Sequence, residues 1–267
     1  MTTGALILAF NNEHTDYVGM AAWSADRIRR HLEIPVAVIT DCTDATRLTK
    51  FDRVITADPV SGGARYFEDY NETVTWYNAG RVDAYQLTPW DQTLLLDADY
   101  VVCSPTLKIL LDRPQEFMCH RTAYDIACSF DFSRLNYFGA HNMPMWWATV
   151  MMFRRGNTAQ YIFDSMTMVQ QNWKHYRDLY HITGSQYRND YALSIALGIV
   201  SGHTLKVNKI PWNLETVLPD YTLTQIDTDE FEVRYSDQGR LFKIDWREMD
   251  FHAMGKKHLG DIIASAK

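Results

Sequence analysis

The residues best suited to chemistry are Asp97 and Asp99, separated by Ala98 and set into the apolar run Leu94-Leu95-Leu96-Asp97-Ala98-Asp99-Tyr100-Val101-Val102. The run reads as one buried strand that presents both carboxylates at its carboxyl edge, where open α/β sheets bind ligands. Carboxylates one residue apart can both reach a hard divalent cation, which commonly keeps diphosphate oxygens and waters as its remaining ligands. The plainer alternative is that Asp97 caps a turn and Asp99 is solvated. Charge at the end of an apolar strand is costly unless something binds it, which favours the metal. His252 offers a third ligand, Gly255 allows close backbone approach, and Lys256 and Lys257 could offset diphosphate charge or simply be a solvated end. Arg81, sixteen residues before Asp97, could be aimed at the same crevice as a cation for phosphate, or pair at the surface with Asp83 or Asp91.

These groups need a scaffold, and the hydrophobic pattern supplies one. Residues 4–10 are an apolar run, followed by the polar stretch Asn11-Asn12-Glu13-His14-Thr15-Asp16 and then by Tyr17, Met20, Ala21, Ser24 and Ile28 at helical spacing. An Asn/Asp-rich loop before an aromatic residue can hold a nucleoside, the ring of Tyr17 stacking on the base and Asn11 binding the ribose. It can equally be a helix cap from Thr15 or Asp16. Short apolar runs at 36–40 and 53–56 follow, and strands alternating with helices over the first hundred residues predict a mostly parallel sheet. The connection 57–75, with Ser61-Gly62-Gly63-Ala64-Arg65 and Tyr66, Phe67 and Tyr70, reads as a lid or as a surface excursion packed by its own aromatics. A helix is predicted over 76–88, stopped by Pro89.

The second half is patterned less evenly. A helix is expected at 106–111 and an aperiodic, aromatic acceptor-binding stretch or poorly patterned helix at 120–145. A buried strand at 146–153 and one amphipathic helix over 158–181 come next. The helix 192–200 has Asn189 or Asp190 placed to cap it, and an acid there can also bind substrate hydroxyls. A short strand at 206–212 and a hairpin of 231–235 with 241–246 complete the elements.

The chain has 267 residues, enough for one α/β domain with a sizeable core. A net charge of −7 gives no global field for polyanions, so a nucleic-acid partner would need a local basic groove. The first apolar run is too short for a membrane span and lacks a basic region before it, so neither leader nor anchor is expected and the cytoplasm is the default address. Cys42, Cys103, Cys119 and Cys128 lack C-x-x-C spacing, which suits buried reduced thiols rather than zinc. No G-x-G-x-x-G or G-x-x-x-x-G-K-[ST] follows the first strand, which removes the dinucleotide-binding and P-loop readings.

Taken together, these motifs resemble the GT-A glycosyltransferases, most closely the family 8 enzymes that include glycogenin and bacterial lipopolysaccharide galactosyltransferases. Asp97-Ala98-Asp99 is similar to the family's D-x-D, Arg81 to its upstream donor-contacting base, and Asn11 and Tyr17 to its uridine-side residues. Trp147-Ala148-Thr149-Val150 resembles an N-A-G-V strand start, with Trp147 in place of the amide and Thr149 in place of the glycine. Asn189-Asp190 resembles part of D-Q-D-x-L-N, and Pro211-Trp212-Asn213 a W-N element. His252-Ala253-Met254-Gly255 resembles the start of H-x-x-G-x-x-K, with His258 at the lysine position.

The resemblance implies a single GT-A domain spanning 1–267, with a nucleotide-binding half at 1–103, an acceptor-binding half at 104–267 and a C-terminal β-hairpin. It implies manganese or magnesium on Asp97, Asp99 and His252, set against the diphosphate of a nucleotide sugar, in the first place a UDP-sugar. Ala98 and Gly255 would approach the donor through backbone, Arg81 and Lys256 or Lys257 would add positive charge, and Asp190 would orient the donor sugar or a carbohydrate or other acceptor hydroxyl. Family 8 enzymes retain anomeric configuration, whereas inversion would require a carboxylate or His as base opposite the leaving group. Competing readings are a viral-type transferase acting on hydroxymethylated bases in DNA, using residues 120–145 with Arg154-Arg155, a nucleotidyltransferase, which would be expected to carry a glycine-rich phosphate loop near residue 12, and a non-catalytic sugar-nucleotide binder. The absent phosphate loop counts against the second.

Overall fold

The computed structural model describes residues 1–67, 71–184, 186–204 and 206–265. Its centre is a six-stranded sheet in the order Arg53–Thr56, Val36–Thr40, Thr3–Leu8, Gln92–Leu96, Trp147–Arg154, Phe117–His120. The first four strands are mutually parallel, and Trp147–Arg154 runs antiparallel to both of its neighbours. Apart from the exposed edge strand Arg53–Thr56, the strands are largely apolar on both faces because each face is covered. Ala5, Ile7, Leu94, Leu96, Val150 and Met152 pack on the side that receives Val18, Ala21, Ala25 and Ile28 of the helix Tyr17–Leu32. Their alternates Leu6, Leu8, Leu95, Met151 and Phe153 pack on the side of Ile162, Phe163 and Met166 from Asn157–Gln171 and Leu193 and Ala196 from Asn189–Val200. Alternation within each strand thus builds two cores and a three-layer α/β/α arrangement. A charge at Leu95, which is fully buried, would remove about 2 kcal/mol of apolar burial before any cost of burying the charge.

A second sheet, Tyr100–Val101, Phe251–Ala253, Leu214–Val217 and Ala123–Asp125, adjoins the cleft end of the first. It corrects the expectation of one strand over 94–102. The central strand stops at Leu96, Asp97 to Asp99 form a turn closed by Tyr100 N–H on Asp97 O at 3.1 Å, and Tyr100 enters the second sheet opposite His252. Apolar residues on both sides of the turn hid the break.

Other elements differ from expectation for local reasons. The connection read as a lid or a surface excursion contains a hairpin, Gly63–Phe67 with Glu72–Trp76; Tyr70 and the side chains of Arg65 and Phe67 lie outside what is described. The helix expected over 76–88 is a 3-10 turn, Ala79–Asp83, running into one α-turn, Ala84–Leu87. The long helix over 158–181 divides into Asn157–Gln171 and Trp173–Leu179 at Asn172. At 206–212 no strand forms among the described residues, only a bridge of Lys209 to Cys119. The helix Asn189–Val200 starts without a side-chain cap, because Asn189 and Asp190 turn to other partners.

The C-terminal hairpin is longer than predicted, Glu230–Asp237 with Arg240–Arg247, and Thr222–Asp227 adds a third strand. Its two-residue turn needs left-handed backbone, which Gln238 (φ 48°) and Gly239 (φ 76°) provide. The chain then passes through Phe251–Ala253 into a helix, Lys256–Ser265, anchored by buried Leu259, Ile262 and Ile263. Its Lys-Lys start opposes the helix dipole and carries no recognisable start signal. All four cysteines are unpaired; Cys103 and Cys119 are buried as expected, Cys42 is half-buried and Cys128 is exposed. Among the described residues no helix is long and apolar enough to cross a membrane.

Candidate active site

A cleft of about 390 Å³ opens at the carboxyl ends of Thr3–Leu8 and Gln92–Leu96. Leu8, Phe10 and Tyr17 line one side, Trp147 to Thr149 the start of the antiparallel strand, and Arg188 to Asp190 the start of a helix. His252, Met254 and Lys256 close it from the C-terminal segment.

Asp97 and Asp99 face this cleft with His252, brought alongside by the strand pairing Tyr100 with His252 and by Ala253 N–H on Asp99 O at 3.0 Å. One ligand atom from each of Asp97, Asp99 and His252 lies within 4.8 Å of the others. Two carboxylate oxygens and one imidazole nitrogen form a donor set that suits a borderline-hard divalent cation, so the residues present fit such an ion.

The two carboxylates are held differently. Asp97 receives Arg81 Nη1 at 2.8 Å, while Arg81 Nη2 binds Ala148 O at 2.6 Å and Thr149 O at 3.2 Å. Burial pushes the Asp97 carboxyl up, reinforced by Asp99 and opposed by Arg81 and His252. Asp99 is only 8% exposed and lies against the Lys256 ammonium, with His252 Nε2 3.5 Å away. Burial alone would raise its pKa, but Lys256 and His252 outweigh this and hold the carboxyl well below the ordinary aspartate range.

The other sequence candidates divide. Arg81, read either as a phosphate cation or as a surface partner of Asp83 or Asp91, is 1% exposed, lines the cleft and pairs with Asp97, joining it to the strand start at Ala148. Asp190 accepts Ala148 N–H at 3.0 Å and Arg188 Nη2 at 2.9 Å, within the cleft lining. Tyr17 and Ala98 line the cleft. Asn11 is absent from its wall: its amide donates to Asp16 and its oxygen accepts Val18 N–H, while Asp16 caps the helix through Gly19 N–H at 3.0 Å. This is the capping arrangement that the sequence left open beside the nucleoside one. Gly255 and Lys257 also lie outside the lining, and Lys257 is exposed. A Cβ on Gly255 would come within 3.3 Å of Pro219 O, so this glycine permits close backbone packing. His258, at the position where the family has lysine, has a buried Nδ1 and is not in the cleft.

The structure adds residues that the sequence did not single out as ligands. Asn78, Trp147, Arg188 and Asn189 each bring to the cleft a buried polar atom without a hydrogen-bond partner: Asn78 Oδ1, Trp147 Nε1, Arg188 Nε and Asn189 Oδ1. Such atoms are costly unless a ligand or water completes them. The available signal was the nearness in sequence of Asn78 to Arg81 and of Arg188 and Asn189 to Asp190, and the place of Trp147 at the start of a buried strand, but side-chain direction was not readable.

No protein-family model matches the sequence, and no curated protein matches it. Solved structures do. An active-site mutant of the galactosyltransferase LgtC superposes with a TM-score of 0.50 at 14% identity, over 77% of this chain and 72% of that one. Mouse xyloside xylosyltransferase 1 gives 0.48 at 15% identity, over 82% and 88%. The glycosyltransferase GlyE of Streptococcus pneumoniae TIGR4 gives 0.46 at 10% identity over 79% of this chain, which spans 46% of the length of that protein. With a mostly parallel sheet covered by helices and a cleft at its carboxyl edge, the chain has the GT-A glycosyltransferase fold.

Proposed function

We propose that the protein transfers a sugar from a nucleoside-diphosphate sugar, in the first place a UDP-sugar, to an acceptor hydroxyl, with manganese or magnesium held by Asp97, Asp99 and His252. The observation that carries this reading is the convergence of those three side chains in the cleft of a GT-A fold. When bound, the cation would neutralise charge on the departing diphosphate.

Charge balance in the cleft supports a cation. Among the described residues lining it, the carboxylates Asp97, Asp99 and Asp190 are matched by the cations Arg81, Arg188 and Lys256. A diphosphate diester alone would leave about two uncompensated negative charges in a partly desolvated cleft, and a divalent ion restores neutrality. In this reading Arg81 is a positioning residue that fixes Asp97, Tyr17 lies at the nucleoside end, and Asp190 orients a sugar or acceptor hydroxyl. Trp147 N–H and the oxygens of Asn78 and Asn189 meet sugar hydroxyls. The first half, 1–103, then supplies most of the nucleotide site, and 104–267 supplies the acceptor side together with His252 and Lys256. The unpaired thiols favour the cytoplasm as its address.

The DNA-acceptor reading is disfavoured by the placement of Arg154 and Arg155. They lie at the far end of the strand that starts in the cleft, where they donate to Leu111 O and Thr88 O. The test is calorimetric titration with UDP and other nucleoside diphosphates, with and without manganese, repeated on Asp97→Ala and Asp99→Ala. Manganese-dependent binding of one nucleotide, lost in both variants, is the expected result. Binding indifferent to metal and to both aspartates would overturn the proposal.

A further inference from the structure

The ammonium of Lys256 lies on a carboxylate that the proposed cation site also uses. Lys256 Nζ lies against Asp99 Oδ2, the oxygen that is also 3.5 Å from His252 Nε2, and it donates further to Ala253 O at 3.1 Å. Both side chains are largely buried, Asp99 at 8% and Lys256 at 12% exposure, so solvent does little to weaken the pair. A divalent ion held by Asp99 and His252 would face a positive charge close by, and the two cannot share that carboxylate in a poorly solvated cleft without strong repulsion. Lys256 is also part of the cleft lining, and its flexible four-carbon stem lets the ammonium move to another anion in the cleft.

We propose that Lys256 is a transferable counter-cation, which occupies the metal-site carboxylate Asp99 until a divalent ion and a diphosphate arrive together, and then shifts to the diphosphate. The proposal rests on the metal-diphosphate reading above and deepens it. Metal alone must displace the ammonium from Asp99 and therefore binds weakly. Diphosphate offers the ammonium a new partner and so favours metal binding, and by linkage metal favours diphosphate to the same degree. The device makes the site assemble as a unit, beyond the direct attraction between ion and diphosphate.

The experiment measures manganese affinity, by calorimetry and by the electron spin resonance of free manganese, with manganese alone and with saturating UDP. The proteins are wild type, Lys256→Met and Lys256→Arg, each first checked for folding by circular dichroism and thermal melting. Lys256→Met should bind manganese alone about tenfold tighter than wild type, and the tightening produced by UDP should shrink by about the same factor. Lys256→Arg keeps the charge and should stay close to wild type, which keeps the test sharp should the methionine variant fold poorly. Equal manganese affinity in wild type and Lys256→Met, or tighter binding in Lys256→Arg as well, would overturn the counter-cation role while leaving the metal site standing. Absence of manganese binding in every protein, with or without UDP, would remove the metal reading and this inference together.

Discussion

The two ends of the central sheet are built from the same strands and finished in opposite ways. At the end away from the cleft the chain satisfies most of its own polar groups. Asp91 takes Thr2 N–H at 2.7 Å, Thr88 and Thr93 hydroxyls meet at 2.7 Å, Tyr85 exchanges hydrogen bonds with Gly156, and Arg155 reaches Thr88 O at 2.8 Å. Arg154 Nε and Gln115 Oε1 are left over. At the cleft end, Asn78, Arg81, Trp147, Arg188 and Asn189 all carry a buried atom without a partner, and three carboxylates lie among three cations. A sheet end that serves as scaffold closes its hydrogen bonds, whereas one that receives a ligand leaves groups for the ligand to complete.

The strongest way to break this contrast is to remove charge at each carboxylate. Asp97→Asn and Asp99→Asn should each lower metal-dependent nucleotide affinity by about 100-fold or more, read by calorimetry. Retention of wild-type affinity in either would detach that residue from the ligand end. A second test asks whether an unpartnered atom away from the cleft has a different answer. Asp250 Oδ1 accepts Cys103 N–H at 2.8 Å and Ser104 Oγ–H at 3.0 Å, but its Oδ2 is buried without a partner, and burial, only partly offset by these bonds, pushes its carboxyl up to about 6. An acid whose folded pKa is raised keeps its proton longer in the folded than in the unfolded state, so its contribution to stability falls as pH rises from about 4 to 6 and is flat above. The loss should be about 3 kcal/mol, and Asp250→Asn should abolish that slope in chemical denaturation measured across this window. An unchanged slope would assign the pH dependence elsewhere.

The scaffold end should respond in stability alone. A Cβ on Gly4 would meet Trp90 Cε2 at 2.4 Å, inside a packed layer where Trp90 Nε1 donates to Ala5 O. Gly4→Ala should therefore cost about 2 kcal/mol of unfolding free energy while leaving nucleotide affinity within about twofold. A large affinity loss in this variant would show that the two ends are coupled through the strand.

Much of this division was legible in the sequence because it rests on local patterns. The strands Thr3–Leu8, Val36–Thr40, Gln92–Leu96 and Trp147–Arg154 are apolar on both faces, the hairpin carries its Gln238-Gly239 turn, and the two carboxylates at the end of an apolar run, with the later His252, pointed to one cluster that the fold brings together. What was hidden depends on distant pairing or on direction. The break after Leu96 is set by Tyr100 joining a sheet with Phe251–Ala253, which no local period encodes. Arg81 was placed near the right carboxylate, but only the fold shows it pairing with Asp97, and Asn11 stands near the cleft while its amide serves the helix start. The hairpin Gly63–Phe67 with Glu72–Trp76 lacks the apolar alternation of a core strand because much of it is exposed, so it read as loop.

Trp147 gives the finest test, because it separates the ligand's nucleotide from its sugar. The side chain is 8% exposed, packs edge-on against Phe132 at 5.9 Å, and leaves Nε1–H buried without an acceptor. Trp147→Phe removes that donor and part of the ring. The lost burial and the relieved donor act in opposite directions, so unfolding free energy should change by less than about 1 kcal/mol. If the N–H is reserved for a sugar hydroxyl, affinity for the nucleotide sugar should fall about tenfold while affinity for the corresponding nucleoside diphosphate stays the same, since only the sugar offers it an acceptor. Equal losses for both ligands would place the indole against the nucleotide instead. No loss for either would mean that the unpartnered N–H belongs to the packing of the strand start and that the cleft end is, at this residue, scaffold as well.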